Sequence, residues 1–224
     1  MRSCFPKKRI MEEAEVRREG AVVSLAAVTA LAGSSIAAKR GVPTWDRALF
    51  ARLNALPDAL APVVWGPMQA GALAAPLAAG AVLLIRQRRR AAARVAIAGS
   101  VAWGAAKVVK RGVRRGRPGD HIDSARLRMG SADNGLGYPS GHAAVAIAVV
   151  SALPEPSHRS WKVAGALLAL TVGVSRIYVG AHYPLDVIGG WALGAAIVSG
   201  CGRLESLGLP KRGSARIEVL PPPA

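Results

Sequence analysis

Lys110, Arg117 and Pro118 form a K-x6-R-P cluster, Pro139, Ser140, Gly141 and His142 follow as P-S-G-H, and Ser175, Arg176, His182 and Asp186 complete the set as S-R-x5-H-x3-D. Three cations, two imidazoles and one carboxylate hold most of the polar chemistry of an otherwise apolar chain. Together they describe a site that binds an oxyanion and attacks it. Guanidinium forks and free main-chain N–H groups suit the charge that develops on a phosphoryl group in flight.

Each cluster has a local logic. Pro139-Ser140-Gly141 reads as a helix start: proline tolerates the first turn, serine caps, and glycine lets a ligand approach the main chain. Free N–H groups there form an anion site, although P-S-G before an apolar run is also ordinary capping. His182 and Asp186 are four residues apart, a spacing that lets the carboxylate take a proton from one ring nitrogen and present the other as a lone pair. The competing reading is a buried hydrogen-bonded pair or a proton relay, but carboxylates inside apolar segments are costly and by default functional. Lys110, Arg117 and Arg176 taken singly would be ordinary juxtamembrane cations, and Arg111, Arg114 and Arg115 are read that way.

These clusters must be positioned by membrane helices. The chain has 224 residues, 51% hydrophobic, with charge-free runs at 20–38, 59–85 and 187–202. A span needs ~20 apolar residues, and six candidates emerge, at roughly 20–38, 59–85, 91–109, 139–154, 161–180 and 184–202. The expected fold is an all-α, polytopic membrane helix bundle of about six transmembrane helices. A short segment (1–19) precedes it, the domain covers 20–205, and a disordered tail (206–224) follows. His142 and His182 are forty residues apart, about what two membrane helices and a turn need to leave one surface and return to it.

The formal charge is +17, but the chain has only five tryptophans, three tyrosines and two phenylalanines, and no basic face with interleaved aromatics. Nucleic-acid binding is therefore not expected; the surplus sets topology and attracts an anionic substrate. The loop from Arg86 to Arg90 has four arginines and no acid, which places it, with both termini, in the cytoplasm of a multi-pass cell-membrane protein. Loops 39–58, 110–138 and 177–183 then share the extracytoplasmic side, although 107–128 holds eight Lys or Arg against Asp120 and Asp123, against the charge rule. Residues 44–56 place Trp45, Leu49, Leu53 and Leu56 at helical spacing, either as an interfacial helix or as an amphipathic cap on the bundle. Gly71, Ala75 and Ala79 mark close helix packing within one bundle or between two. Cys4 and Cys201 are expected to be free thiols.

The three clusters match the full signature of the type-2 phosphatidic-acid phosphatase family, which also includes bacterial acid phosphatases and vanadium haloperoxidases. The resemblance implies a metal-independent, two-step hydrolysis of a lipid phosphate. In it, His182 attacks phosphorus to form a phosphohistidine, Asp186 orients it, and His142 protonates the leaving oxygen. Lys110, Arg117, Arg176, Ser140 and the main chain at Gly141 would hold the phosphoryl oxygens. No cofactor is expected, since the three cations would repel a metal from the two histidines and the carboxylate. A phosphotransferase or a non-catalytic lipid-phosphate carrier would use the same pocket, whereas soluble, larger haloperoxidases fit poorly. Among substrates, composition rich in alanine, glycine and arginine tilts the expectation toward a bacterial polyprenyl diphosphate such as undecaprenyl diphosphate, with phosphatidic acid next.

Overall fold

The computed structural model describes residues 5–131, 135–154 and 159–208, and among them all regular structure is helical. Eight α-helices follow in order: α1 (Phe5–Lys39), α2 (Thr44–Asn54), α3 (Ala61–Met68), α4 (Ala74–Ile85), α5 (Arg89–Val113), α6 (Gly141–Ala152), α7 (Arg159–Tyr178) and α8 (Pro184–Gly208). The tail from 209 onward and Cys4 lie outside the described residues; Cys201 is a free thiol.

Helix α1 runs on from the charged N-terminal segment and stops where Gly41 takes φ +120°, a left-handed conformation open to glycine. Helix α5 stops in a similar way at Arg114, φ +57°, whose N–H caps the Lys110 carbonyl. That reversal keeps Lys110 in the last helical turn and throws Arg115 and Arg117 off the helix axis. The uncharged run 59–85 is not one straight span: α3 and α4 meet at a 67° bend. Its cause is a tertiary contact, since a Cβ on Gly71 would lie 2.5 Å from the His142 carbonyl oxygen, and Ala72 is extended there (ψ 158°).

Among the described residues three helices are long and apolar enough to cross a membrane, or four if the bent pair counts as one span, against six expected. The 20-residue α7 carries Lys162 and Arg176, and α6 has 12 residues. At 1.5 Å per residue α6 is ~18 Å long, short of a ~30 Å hydrocarbon core. Leu153 turns to ψ 147° ahead of Pro154 and ends it. Short as it is, α6 is the hub. It packs on α5, α7 and α8 through fully buried Ala143, Ala144, Val145, Ala146 and Ala148. The main core joins Ala144, Val145 and Ala148 to Ala92, Val95, Ala98, Ala102 and Ala106 of α5 and Leu193 of α8. Alanines here let backbones approach closely, which is how helices associate where lipid removes the hydrophobic drive.

Helix α2 turns Asp46, Phe50 and Asn54 inward, Phe50 and half-buried Leu53 joining an apolar cluster with Ile177, Tyr183 and Val187, while Trp45 and Leu49 are exposed beside Arg47 and Arg52.

Candidate active site

The three long loops meet at one end of the bundle, and polar side chains tie them together. Asn54 of α2 donates from Nδ2 to the carbonyls of Arg126 and Tyr178, and its Oδ1 accepts from Arg126 N. Arg128 donates to Asp58, Tyr178 O, Asn54 O and Leu56 O and lies 4.1 Å over the Tyr178 ring. The segment 126–130 is thereby stitched onto α2 and the end of α7.

Within this frame the sequence clusters converge. His182 sits in the loop between α7 and α8, 3% exposed, where it feels Lys110, Arg176, Arg117 and His142. Burial first, then those neighbouring positive charges, holds its imidazole well below the usual histidine range, because both disfavour a further proton. His182 is thus neutral near pH 7, with an available lone pair. His142 occupies the first turn of α6, one residue after Gly141.

The cations brace as well as bind. Lys110 Nζ donates to the carbonyls of Leu136 and Gly137 at 2.7 and 2.8 Å, leaving one of its three protons for a ligand. Arg117 reaches Ala181 O at 3.1 Å, and its N–H is fixed by Asp120 at 2.7 Å. Arg176 reaches Gly130 O at 2.6 Å. Nε of Arg117 and Nε of Arg176 are both buried and have no acceptor among the described residues. A buried guanidinium donor without a partner is costly, and donors of this kind are what an oxyanion ligand pairs with.

The start of α6 completes the cradle. Ser140 is fully buried, its Oγ accepts from Ala143 N at 3.4 Å, and its own N–H donates to the Asp186 carbonyl at 2.8 Å. A Cβ on Gly141 would meet nothing closer than 3.9 Å, so protein packing does not require this glycine and the space beside it is open to a ligand. Ser175, grouped with Arg176 in the sequence, turns its hydroxyl to the Val172 carbonyl at 2.8 Å and serves α7 itself.

Asp186 is fully buried at the first turn of α8, beside His182. The His182 Nδ1 to Asp186 Oδ2 distance is 3.5 Å, too long for a hydrogen bond. The carboxylate is committed elsewhere: Oδ2 accepts from Tyr183 N at 2.9 Å and Oδ1 from Arg115 at 2.7 Å.

Arg115 is the residue whose sequence reading does not hold. It is no ordinary juxtamembrane cation but 4% exposed, clamped between Asp186 and Asp46 and 4.9 Å from the Tyr183 ring. Asp46, fully buried on α2, is the other member that the sequence clusters omit. The available signal was an acid on the apolar flank of the chain, which demands a buried cation.

The chain is 41% identical over 75 residues to an undecaprenyl-diphosphatase of Sulfolobus acidocaldarius, covering 34% of this chain and 36% of that one. It is 36% identical over 149 residues to a decaprenylphosphoryl-5-phosphoribose phosphatase of Mycolicibacterium smegmatis, covering 64% and 75%. The matched stretch thus spans about a third of the first relative's length and three quarters of the second's. The fold is similar to the crystal structure of a transmembrane PAP2-type phosphatidylglycerolphosphate phosphatase from Bacillus subtilis, with TM-score 0.64 and 20% identity, covering 86% of this chain and 98% of that one. With the three clusters, their convergence around His182 and a family profile matching residues 90–205, the chain belongs to the PAP2 superfamily.

Proposed function

We propose that the chain is a metal-independent membrane phosphatase that hydrolyses a lipid phosphate through a phosphohistidine on His182. The observation that carries this reading is a buried, neutral His182 ringed by Lys110, Arg117, Arg176 and His142. Such a pocket gathers an oxyanion and places a nucleophile beneath it in one step.

The residues divide the work as follows. Lys110, Arg117, Arg176, the Ser140 hydroxyl and the main chain at Gly141 hold the phosphoryl oxygens, and the cations offset the charge that builds up on those oxygens in the transition state. His182 Nε2 attacks phosphorus while the bond from phosphorus to the leaving oxygen breaks. Burial and the cations Arg176, Lys110 and Arg117 lower the His142 pKa to about 3; the negative charge of a bound phosphoryl group offsets those cations, and the imidazolium that forms beside it gives that oxygen its proton. Water then attacks the phosphohistidine, His142 takes the proton of that water, and phosphate leaves with His182 regenerated. Asp186 fixes the loop of His182 through Tyr183 N and stabilises positive charge on the ring.

For the substrate, the names of both relatives carry a prenyl chain, and a lipid with its phosphate at the interface suits a site at the end of a bundle. A polyprenyl diphosphate is therefore the substrate we favour. The arginine loop at Arg86–Arg90 lies at the far end of α5 from Lys110, ~30 Å away along the helix. A cytoplasmic arginine loop puts the site on the extracytoplasmic face.

The deciding experiment measures phosphate release by detergent-purified protein in EDTA, with polyprenyl diphosphate and phosphatidic acid compared and His182→Ala as control. Release that persists in EDTA and vanishes in the variant is expected. Absence of release from either lipid, or equal release by the variant, would return the pocket to a carrier role; release only with an added acceptor would make the protein a transferase.

A further inference from the structure

Asp46 has no part in the three clusters and lies outside the family-matched stretch 90–205, yet it is as deeply buried as Asp186. Its two carboxylate oxygens reach two different places. Oδ2 pairs with the Arg115 guanidinium, and Oδ1 accepts from Leu185 N at 2.8 Å. The other end of the same guanidinium holds Asp186 Oδ1 at 2.7 Å. Asp186 in turn accepts from Tyr183 N through Oδ2 and from Ser140 N through its carbonyl. The chain of contacts therefore runs from α2 through Arg115 to the catalytic loop and on to the start of α6.

We propose that Asp46 is a positioning residue for the reaction, acting through Arg115 on Asp186 and so on His182. The inference rests on the reading of His182 as the nucleophile. The argument is geometric. A guanidinium is a planar fork, and a carboxylate at each end fixes its plane. With only Asp186 attached, the fork is free to turn, and Asp186 turns with it. The Leu185 contact matters as much, because it pins the residue beside Asp186, three positions after His182, to the same Asp46. A bridge that served only to satisfy a buried arginine would be complete with one carboxylate. This one spans the segment that carries the nucleophile.

Asp46→Asn is a discriminating variant, since the amide oxygen keeps an acceptor for Leu185 N while the amide NH2, a donor, replaces the oxygen that accepted from Arg115, so that both the charge and the hydrogen bond on the Arg115 side are lost. In the full chain in detergent, with phosphatidic acid or polyprenyl diphosphate as substrate, kcat is expected to fall about ten- to a hundred-fold, as when a ligand's orienting partner is removed. KM and the inhibition constant of inorganic vanadate stay within about two-fold, because Lys110, Arg117 and Arg176 are untouched. Arg115→Lys, which keeps the charge but loses the fork, is expected to show the same split. A wild-type kcat in Asp46→Asn overturns the proposal. So does a parallel loss of kcat, vanadate affinity and melting temperature in both variants, or failure of both to fold, since the bridge would then be a stability element. His182→Ala separates the two levels. An active wild type with a dead His182→Ala and an unimpaired Asp46→Asn defeats only the positioning role, whereas an inactive wild type defeats the phosphatase reading.

Discussion

The two ends of the bundle are both rich in cations, and they use them in opposite ways. At the α4–α5 end, Arg86, Arg88, Arg89 and Arg90 stand exposed. At the other end, Arg115 and Arg176 are buried, Arg115 between two carboxylates and Arg176 against a carbonyl. Charge left in water is cheap and little committed to geometry, so it carries a topological signal and little else. Charge taken out of water must be matched in geometry, and that requirement turns a basic loop into a site.

The distinction breaks most readily at Arg115. Arg115→Met leaves Asp46 and Asp186 buried without their common cation, and removing one member of a buried pair costs about 3–5 kcal/mol. A clear fall in unfolding temperature in detergent is expected, and a variant that melts with the wild type would erase the difference between the two ends. Arg176→Ala removes an oxyanion donor instead, and kcat for phosphate release is expected to drop about 10²–10³-fold in a protein that still folds.

A pH titration sharpens the comparison, because His182 is held neutral by burial and by the cations around it. Below the ordinary imidazole pKa of about 6.5, the unfolded chain binds a proton that the native site refuses. His182 therefore contributes stability that is fully present above that pH and is lost as the pH falls below it. Melting temperature followed from pH 8 to pH 5 should decline on the acid side, and His182→Ala should flatten part of that decline. The smallest effect is expected at the opposite end. Replacing Arg88, Arg89 and Arg90 together by Gln should leave phosphate release per mole of correctly inserted protein unchanged, and a large loss of specific activity would show that exposed charge also reaches the chemistry.

What the sequence disclosed follows the same division. The K-x6-R-P, P-S-G-H and S-R-x5-H-x3-D clusters contain Lys110, Arg117, His142 and Arg176, the groups whose charge acts on His182, because each role needs one residue type at one spacing. The helices α1, α5, α7 and α8 were visible as apolar runs. The bend between α3 and α4 was not, since no charge marks it and it depends on Gly71 meeting the His142 backbone. Arg115 is indistinguishable in type from Arg111 and Arg114; the left-handed turn at Arg114 that redirects it is a backbone angle, not a composition. The apolar stripe of α2 was legible, but not that Asp46 and Asn54 share its buried face with Phe50.

One contact sets a limit on how this site can vary. A Cβ on Gly190 would lie 2.4 Å from the Ser140 carbonyl, and a Cβ on Gly194 would lie 2.4 Å from the Ala144 carbonyl, so α8 rests directly on the main chain of α6. Asp186 begins one of those helices and His142 the other. The gauge between Asp186 and His142 is thus set by the thickness of two backbones, which no exchange of side chains elsewhere can retune. On the phosphatase reading, a chain built this way would hold the phosphate end of its substrate to one fixed measure, and preference for one lipid tail over another would have to be written in the walls around that gap.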